Sequence, residues 1–248
     1  MNIKKLIASM ANYQTICDYL PADHSTPCSV HSYLKRFYDD FAEPATVLDL
    51  GCGEGNSIEL FQHLSGDTIW HGADIENSPE VRKRVRNNDF ITSFNGVDLP
   101  YPDKHFDLIF SNQVLEHVRS PDVLITDAFR VLKPGGSFIG SVSYLEPYHS
   151  YSIFNFTPYG IVRVFNDSGF DLKEIRPETD AAALIIRQLV NRYQLFSLLW
   201  KYNFLYAILE ILATISNLGH RERNFLKIQF SGHLVFLAKR PDRLILYD

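Results

Sequence analysis

Apolar runs of strand length alternate with amphipathic stretches of helical spacing along most of the chain. That alternation gives a parallel sheet covered by helices on both faces. Ala45–Leu50 reads as a buried first strand entered through Pro44, and further strands are expected at about 68–74, 89–94, 106–111, 137–142, 171–176 and 233–239. Helical spacing recurs over Ser57–Leu64, Pro79–Arg86, Pro121–Leu132 and Pro158–Ser168. Pro79 and Pro121 suit a first helical turn, where a missing N–H costs little. The expected fold class is α/β: a Rossmann-like, seven-stranded, mostly parallel sheet with helices on both faces and a helical cap insert.

Two segments stand outside the alternation. Residues 1–43 are expected to form a helical segment over one end of the sheet, ahead of a single domain at 44–248. Residues 178–222 form an apolar, helical insert within that domain. Its stretch 195–218 is rich in Leu, Ile, Phe and Tyr, but Lys201 and Glu210 interrupt it, so no window suits a spanning helix. It reads as a lid or homodimer surface, or as an interfacial helix touching a membrane surface and serving a lipid-linked acceptor.

Composition narrows the function. A formal charge of −5 argues against nucleic-acid binding, which needs clustered Lys and Arg. The one basic run, Arg82 to Arg86, reads as the solvated face of a helix. Cys17, Cys28 and Cys52 are too few and too scattered for a disulfide framework or a zinc site, and no metal is expected. The N-terminal apolar run stops at Asn12, too short for a signal-peptide core, so a cytoplasmic location is expected.

The chemistry concentrates where the first strand ends, at Val47-Leu48-Asp49-Leu50-Gly51-Cys52-Gly53-Glu54-Gly55-Asn56. Glycines in a strand-to-helix turn allow positive φ and close approach of a ligand to the backbone. Alone, Gly51 and Gly53 can also serve only a tight strand-to-helix turn. Asp74 closes the second strand, where an acid can grip ribose hydroxyls or merely cap the next helix. Asn95 and Gly96 follow the third strand, where they can edge an adenine ring. Phe106 to Asn112 ends at the ligand edge of the sheet, and Leu132-Lys133-Pro134-Gly135-Gly136 turns into the fifth strand. Asp107 reads better as a cap or ion-pair partner than as a ligand contact. The spacing Gly51-x-Gly53-x-Gly55 is not the GxGxxG of a nicotinamide enzyme.

Taken together, Val47 to Val142 resembles the class I, S-adenosylmethionine-dependent methyltransferase superfamily: the DxGxGxG loop, the acid after the second strand, the LPxxxxxFD segment and the LKPGG turn occur in order. The resemblance implies S-adenosylmethionine as cofactor. It places Asp49, Gly51 and Gly53 along the methionine portion, Asp74 on the ribose, Ile75 on the adenine, and Asn112 and Gln113 near the sulfonium. Asn95 stands where many relatives have Asp; its Oδ1 can still accept from the adenine amino group. Glu116-His117 resembles the EH pair of many relatives, which makes His117 the first candidate base, the alternative being that its ring fixes the loop by a local hydrogen bond. His149, in the aromatic stretch from Tyr144 to Phe156, is the second candidate base. That stretch suits a small-molecule or glycan acceptor methylated at a hydroxyl, or is simply a packed surface loop. A non-catalytic relative acting through the apolar insert is the remaining alternative.

Overall fold

The computed structural model of the 248-residue chain describes residues 3–41, 43–84, 89–148, 150–190, 193 and 202–242. Seven strands form one sheet: β1 (Thr46–Leu50), β2 (Ile69–Ile75), β3 (Ile91–Phe94), β4 (Phe106–Asn112), β5 (Leu132–Ser143), β6 (Asp171–Pro177) and β7 (His233–Lys239). Their order is β3-β2-β1-β4-β5-β7-β6. Pairings among β1 to β5 are parallel, whereas β7 runs antiparallel to both β5 and β6. The expected seven-stranded, mostly parallel Rossmann-like sheet is what forms. The order reverses between β1 and β4, the place where open α/β sheets bind ligands beyond their carboxyl ends.

The helices are α1 (Ile3–Ser9), α2 (Ala11–Gln14), α3 (Val30–Asp40), α4 (Ser57–Leu64), α5 (Pro79–Arg82), α6 (Pro121–Val131), α7 (Pro158–Asp167), α8 (Ala181–Leu189), α9 (Phe204–Ile215) and α10 (His220–Ile228). Each major helix buries one stripe. In α6 it is Leu124, Ile125, Ala128 and Val131, and in α7 it is Ile161, Val162 and Phe165. Full burial of a side chain such as Phe165 stabilises the fold by about 1.5–3 kcal/mol. Thr157 and Asp180 cap α7 and α8 by accepting the backbone N–H of Gly160 and Ala183.

Three elements depart from expectation. The described residues of the N-terminal segment pack on the two faces of the sheet rather than over one end. Tyr33 and Leu34 of α3 join Val47, Phe61, Leu108 and Ile139 in the core on one face, while Ile7, Ile16 and Leu20 enter the opposite core with α6, α7 and α10. Helix α5 stops at Arg82 rather than Arg86, and Arg84 turns back onto the glycine loop. Strand β5 begins at Leu132, because Phe106 pairs with Leu132 and Gly135 N–H donates to the Arg240 carbonyl, so the Pro-Gly-Gly stretch lies within the strand.

Candidate active site

Asp49, 3% exposed, lies near the end of β1, opposite Gly72 of β2 and Phe110 of β4. Burial pushes its carboxyl up to about 7, partly offset by the Ser57 hydroxyl that donates to it, and the nearby Asp74 adds to the rise. The chain then enters the glycine loop, with φ of +78° at Gly51, +52° at Gly53 and +81° at Gly55. Gly51 is required twice over. An L-residue is strained at that φ, and a Cβ there would stand 2.3 Å from Val114 Cγ2. The Gly51 and Cys52 N–H groups both donate to the Ala73 carbonyl, which ties the loop to β2.

Asp74 is half-buried in β2. One carboxylate oxygen accepts Gly53 N–H at 2.6 Å and the other accepts Ile75 N–H at 2.7 Å. It does not cap the following helix; Ser78 does that by accepting Val81 N–H at 3.0 Å. A carboxylate offers about four lone-pair sites, so two remain for further donors. Burial raises its pKa, opposed by the two backbone N–H bonds. Ile75, next along, leaves an apolar side chain 42% exposed, and a Cβ on Gly96 (φ +91°) would sit 3.6 Å from it. Asn95 closes a local turn, its Oδ1 accepting Val97 and Asp98 N–H at 3.0 and 2.8 Å. Both lone pairs of that oxygen are thereby taken, and a bond from an adenine amino group would require this turn to open. Arg84 was hidden in the basic run. Its Nε donates to the Gly53 carbonyl at 3.0 Å, so this member of the run braces the glycine loop.

Across the switch point, β4 delivers Asn112 and Gln113. Asn112 Oδ1 accepts from Ser141 Oγ at 2.6 Å, and Gln113, at φ +57°, donates its Nε2 to Ser141 Oγ at 3.1 Å. Serines at the end of β5 therefore fix both. Ser143 Oγ lies 2.8 Å from Gln113 Oε1, 3.0 Å from Glu116 Oε1 and 2.7 Å from Glu146 Oε2. One hydroxyl proton cannot serve three acceptors, so the cluster shares its protons. Glu146 Oε2 then meets His233 Nε2 at 2.7 Å, and Glu178 Oε2 stands 3.9 Å from His233 Nδ1. Burial raises the Glu178 pKa, with the His233 charge opposing and Glu146 adding.

His117 ends a short 3-10 turn, Leu115–His117, and is half-buried, while Glu116 beside it is fully buried. His149 lies outside the described residues. Asp107 accepts Thr46 N–H at 2.9 Å and Lys133 Nζ at 2.8 Å at the start of β4, the edge away from the glycine loop. The Glu146–His233 pair was missed because 87 positions separate its members. The signal that finds it is the antiparallel register of β5 and β7, which sets Ser143 opposite His233.

A glycine loop of positive φ, an acid beneath it and an apolar rim at Ile75 together form a nucleoside cradle. Residues 22–204 match the family model described as a methyltransferase domain. The chain belongs to this family. It is 35% identical over 177 residues to the ubiquinone/menaquinone biosynthesis C-methyltransferase UbiE of Vibrio campbellii, covering 62% of this chain and 68% of that protein. Across the first few curated relatives, the chain spans from 37% to 68% of their length. The geranyl diphosphate C-methyltransferase of Streptomyces coelicolor A3(2), solved with Mg2+, geranyl diphosphate and S-adenosyl-L-homocysteine, shares the fold at a TM-score of 0.51 and 17% identity, covering 84% of this chain and 78% of that one. Phosphoethanolamine N-methyltransferase 2 of Haemonchus contortus, solved with S-adenosyl-L-methionine, does so at 0.51 and 18%, covering 86% and 52%. These two likenesses show the fold alone.

The enzyme is thus a class I, S-adenosylmethionine-dependent methyltransferase. The cradle fits this cofactor: Gly51 and Gly53 keep side chains out of the loop, Asp74 retains acceptor capacity and Ile75 offers an apolar face.

Proposed function

We propose that this methyltransferase acts on a ring-bearing small molecule, at a hydroxyl or at a ring carbon activated by one. Asp74 holds the ribose hydroxyls of the cofactor, Ile75 and Gly96 flank its adenine with Asn95 at the rim, Asp49, Gly51 and Gly53 line the methionine portion, and Asn112 and Gln113 border the sulfonium. When bound, the cofactor supplies an electrophilic methyl group. The protein's work is to aim the acceptor, exclude water and take up the hydroxyl proton as the new bond forms.

One observation carries this reading: an aromatic loop and a hydrogen-bonded acid–imidazole chain share the carboxyl edge of β5. Tyr148, Tyr151 and Phe154 of that loop are exposed, and rings with polar tips suit a ring-bearing acceptor. Gln113, Ser143, Glu146 and His233 run beside them as a continuous chain. His117 and His149 are the candidate bases in this reading; both ring nitrogens of His233 face carboxylates, Glu146 at 2.7 Å and Glu178 at 3.9 Å, so His233 orients the chain. The name of the Vibrio relative, a quinone-biosynthesis C-methyltransferase, supports a phenolic ring. A glycan hydroxyl is the second reading, supported by the same exposed tyrosines.

Incubation with labelled S-adenosylmethionine tests both. The probes are 1,4-naphthohydroquinone, catechol and an oligosaccharide panel, read by mass spectrometry for a gain of about fourteen daltons. Label on a phenolic probe supports the reading. Label confined to the oligosaccharides replaces it with the glycan reading.

A further inference from the structure

The two peptide units that meet at Gly53 are each held by a charged side chain. Asp74 accepts the Gly53 N–H at 2.6 Å. Arg84 donates Nε and Nη2 to the Gly53 carbonyl at 3.0 and 2.5 Å. A carbonyl oxygen has two lone pairs, and the guanidinium fork takes both. Arg84 Nη2 also lies 3.8 Å from Cys52 Sγ, so one guanidinium reaches two successive residues of the loop. The chain arrives there because Ser78 caps α5, the helix ends at Arg82, and the backbone then brings Arg84 back to the loop. From the same helix, Glu80 Cβ would stand 3.3 Å from a Cβ on Gly53, so α5 and the loop leave little room for a side chain.

Charge gives this contact a second consequence. Asp49 on β1, Asp74 on β2 and Glu80 on α5 are carboxylates linked by repulsion, Asp49 with Asp74 and Asp74 with Glu80. Arg84 is the cation that opposes them, both at Asp74 and at the Cys52 thiol. Burial raises the Asp74 pKa and Glu80 adds to the rise, whereas the two backbone N–H bonds and the Arg84 charge lower it. A carboxylate takes two ribose hydroxyls best as the anion, which accepts from both. Loss of the guanidinium would therefore free the Gly53 carbonyl and make Asp74 easier to protonate.

We propose that Arg84 is a positioning residue for the cofactor: it clamps the glycine loop at Gly53 and supplies the countercharge beside the Asp74 carboxylate that grips the ribose. The countercharge role rests on the assignment of Asp74 to the ribose. S-adenosylhomocysteine is titrated calorimetrically into the full-length parent, Arg84→Gln and Arg84→Lys between about pH 8 and about pH 5.5, with melting temperatures measured alongside. At the alkaline end Arg84→Gln is expected to bind about tenfold more weakly. As the pH falls the gap from the parent is expected to widen, because Asp74 protonates earlier without its countercharge. Asp49, with a pKa of about 7, titrates in all three proteins and cancels in the gap. Arg84→Lys keeps the charge and loses the fork, so it should bind more weakly by a factor that stays constant with pH. On an Asp74→Ala background the Arg84→Gln gap should also be flat. Parent-like affinity of either Arg84 variant at every pH overturns the proposal. So does a pH-independent gap in Arg84→Gln with a lowered melting temperature, which would make Arg84 a brace of the fold alone. If Asp74→Ala loses affinity while Arg84→Gln does not, the ribose assignment stands without Arg84; if neither does, both fall.

Discussion

The two halves of the ligand edge are built on different principles. On the β1–β2 side the site is mostly backbone: glycines whose φ and lack of Cβ shape a loop, with one acid beneath it. On the β4–β5–β7 side it is a side-chain network joining Gln113, Ser143, Glu146, Glu178 and His233 from four separate stretches of chain. A backbone site tolerates little substitution at its own positions and serves one invariant ligand. A side-chain network can be rewired without disturbing the sheet, which suits the half proposed to meet the acceptor.

The sharpest way to break this contrast is His233→Gln. It should cut turnover about 10²-fold, by freeing Glu146 from its imidazole partner and loosening the acceptor side, with S-adenosylhomocysteine affinity unchanged. Turnover on the acceptor found by labelling checks it. Unchanged turnover would mean that the network does not order the acceptor.

Gly51→Ala should act on the other half through both backbone and packing. Left-handed backbone costs an L-residue about 1–2 kcal/mol and overpacking against Val114 about 1–3 kcal/mol more. Adding Val114→Ala should return the packing share but not the backbone share, as read by denaturant unfolding. Complete rescue would mean that the φ of +78° is not needed.

Asp49 gives a pH-dependent prediction. Its folded pKa, about 7, lies above the ordinary carboxylate value, so the folded state holds the proton more tightly than the unfolded chain. Stability from this group is full below about pH 4 and falls as pH rises to about 7, by at most about 4 kcal/mol. Asp49→Asn keeps the site neutral. Its stability relative to the parent should therefore rise between pH 4 and pH 7 and then level off; a flat difference would contradict the burial argument.

The legible parts of the molecule were those written in local sequence. All seven strands follow from apolar runs, and the glycine loop and Asp74 from their spacing after β1 and β2. What could not be read depended on tertiary choice. Whether Asp74 caps the next helix was open until Ser78 was seen capping α5. Asn95 spends its carbonyl oxygen on its own turn, which no spacing reveals. Arg84 looked like part of a solvated run because the early end of α5 was not foreseeable. His233 was simply the first residue of a strand until strand register put it opposite Ser143.

The central claim is that the carboxylate at the end of β2 holds the ribose of the cofactor beside the glycine loop. Calorimetric titration of S-adenosylhomocysteine into the parent protein and Asp74→Ala tests it most directly. The account predicts a loss of about 1.5–3 kcal/mol for each charge-assisted bond removed, a tenfold or greater weakening. Equal affinity in the two proteins would contradict it.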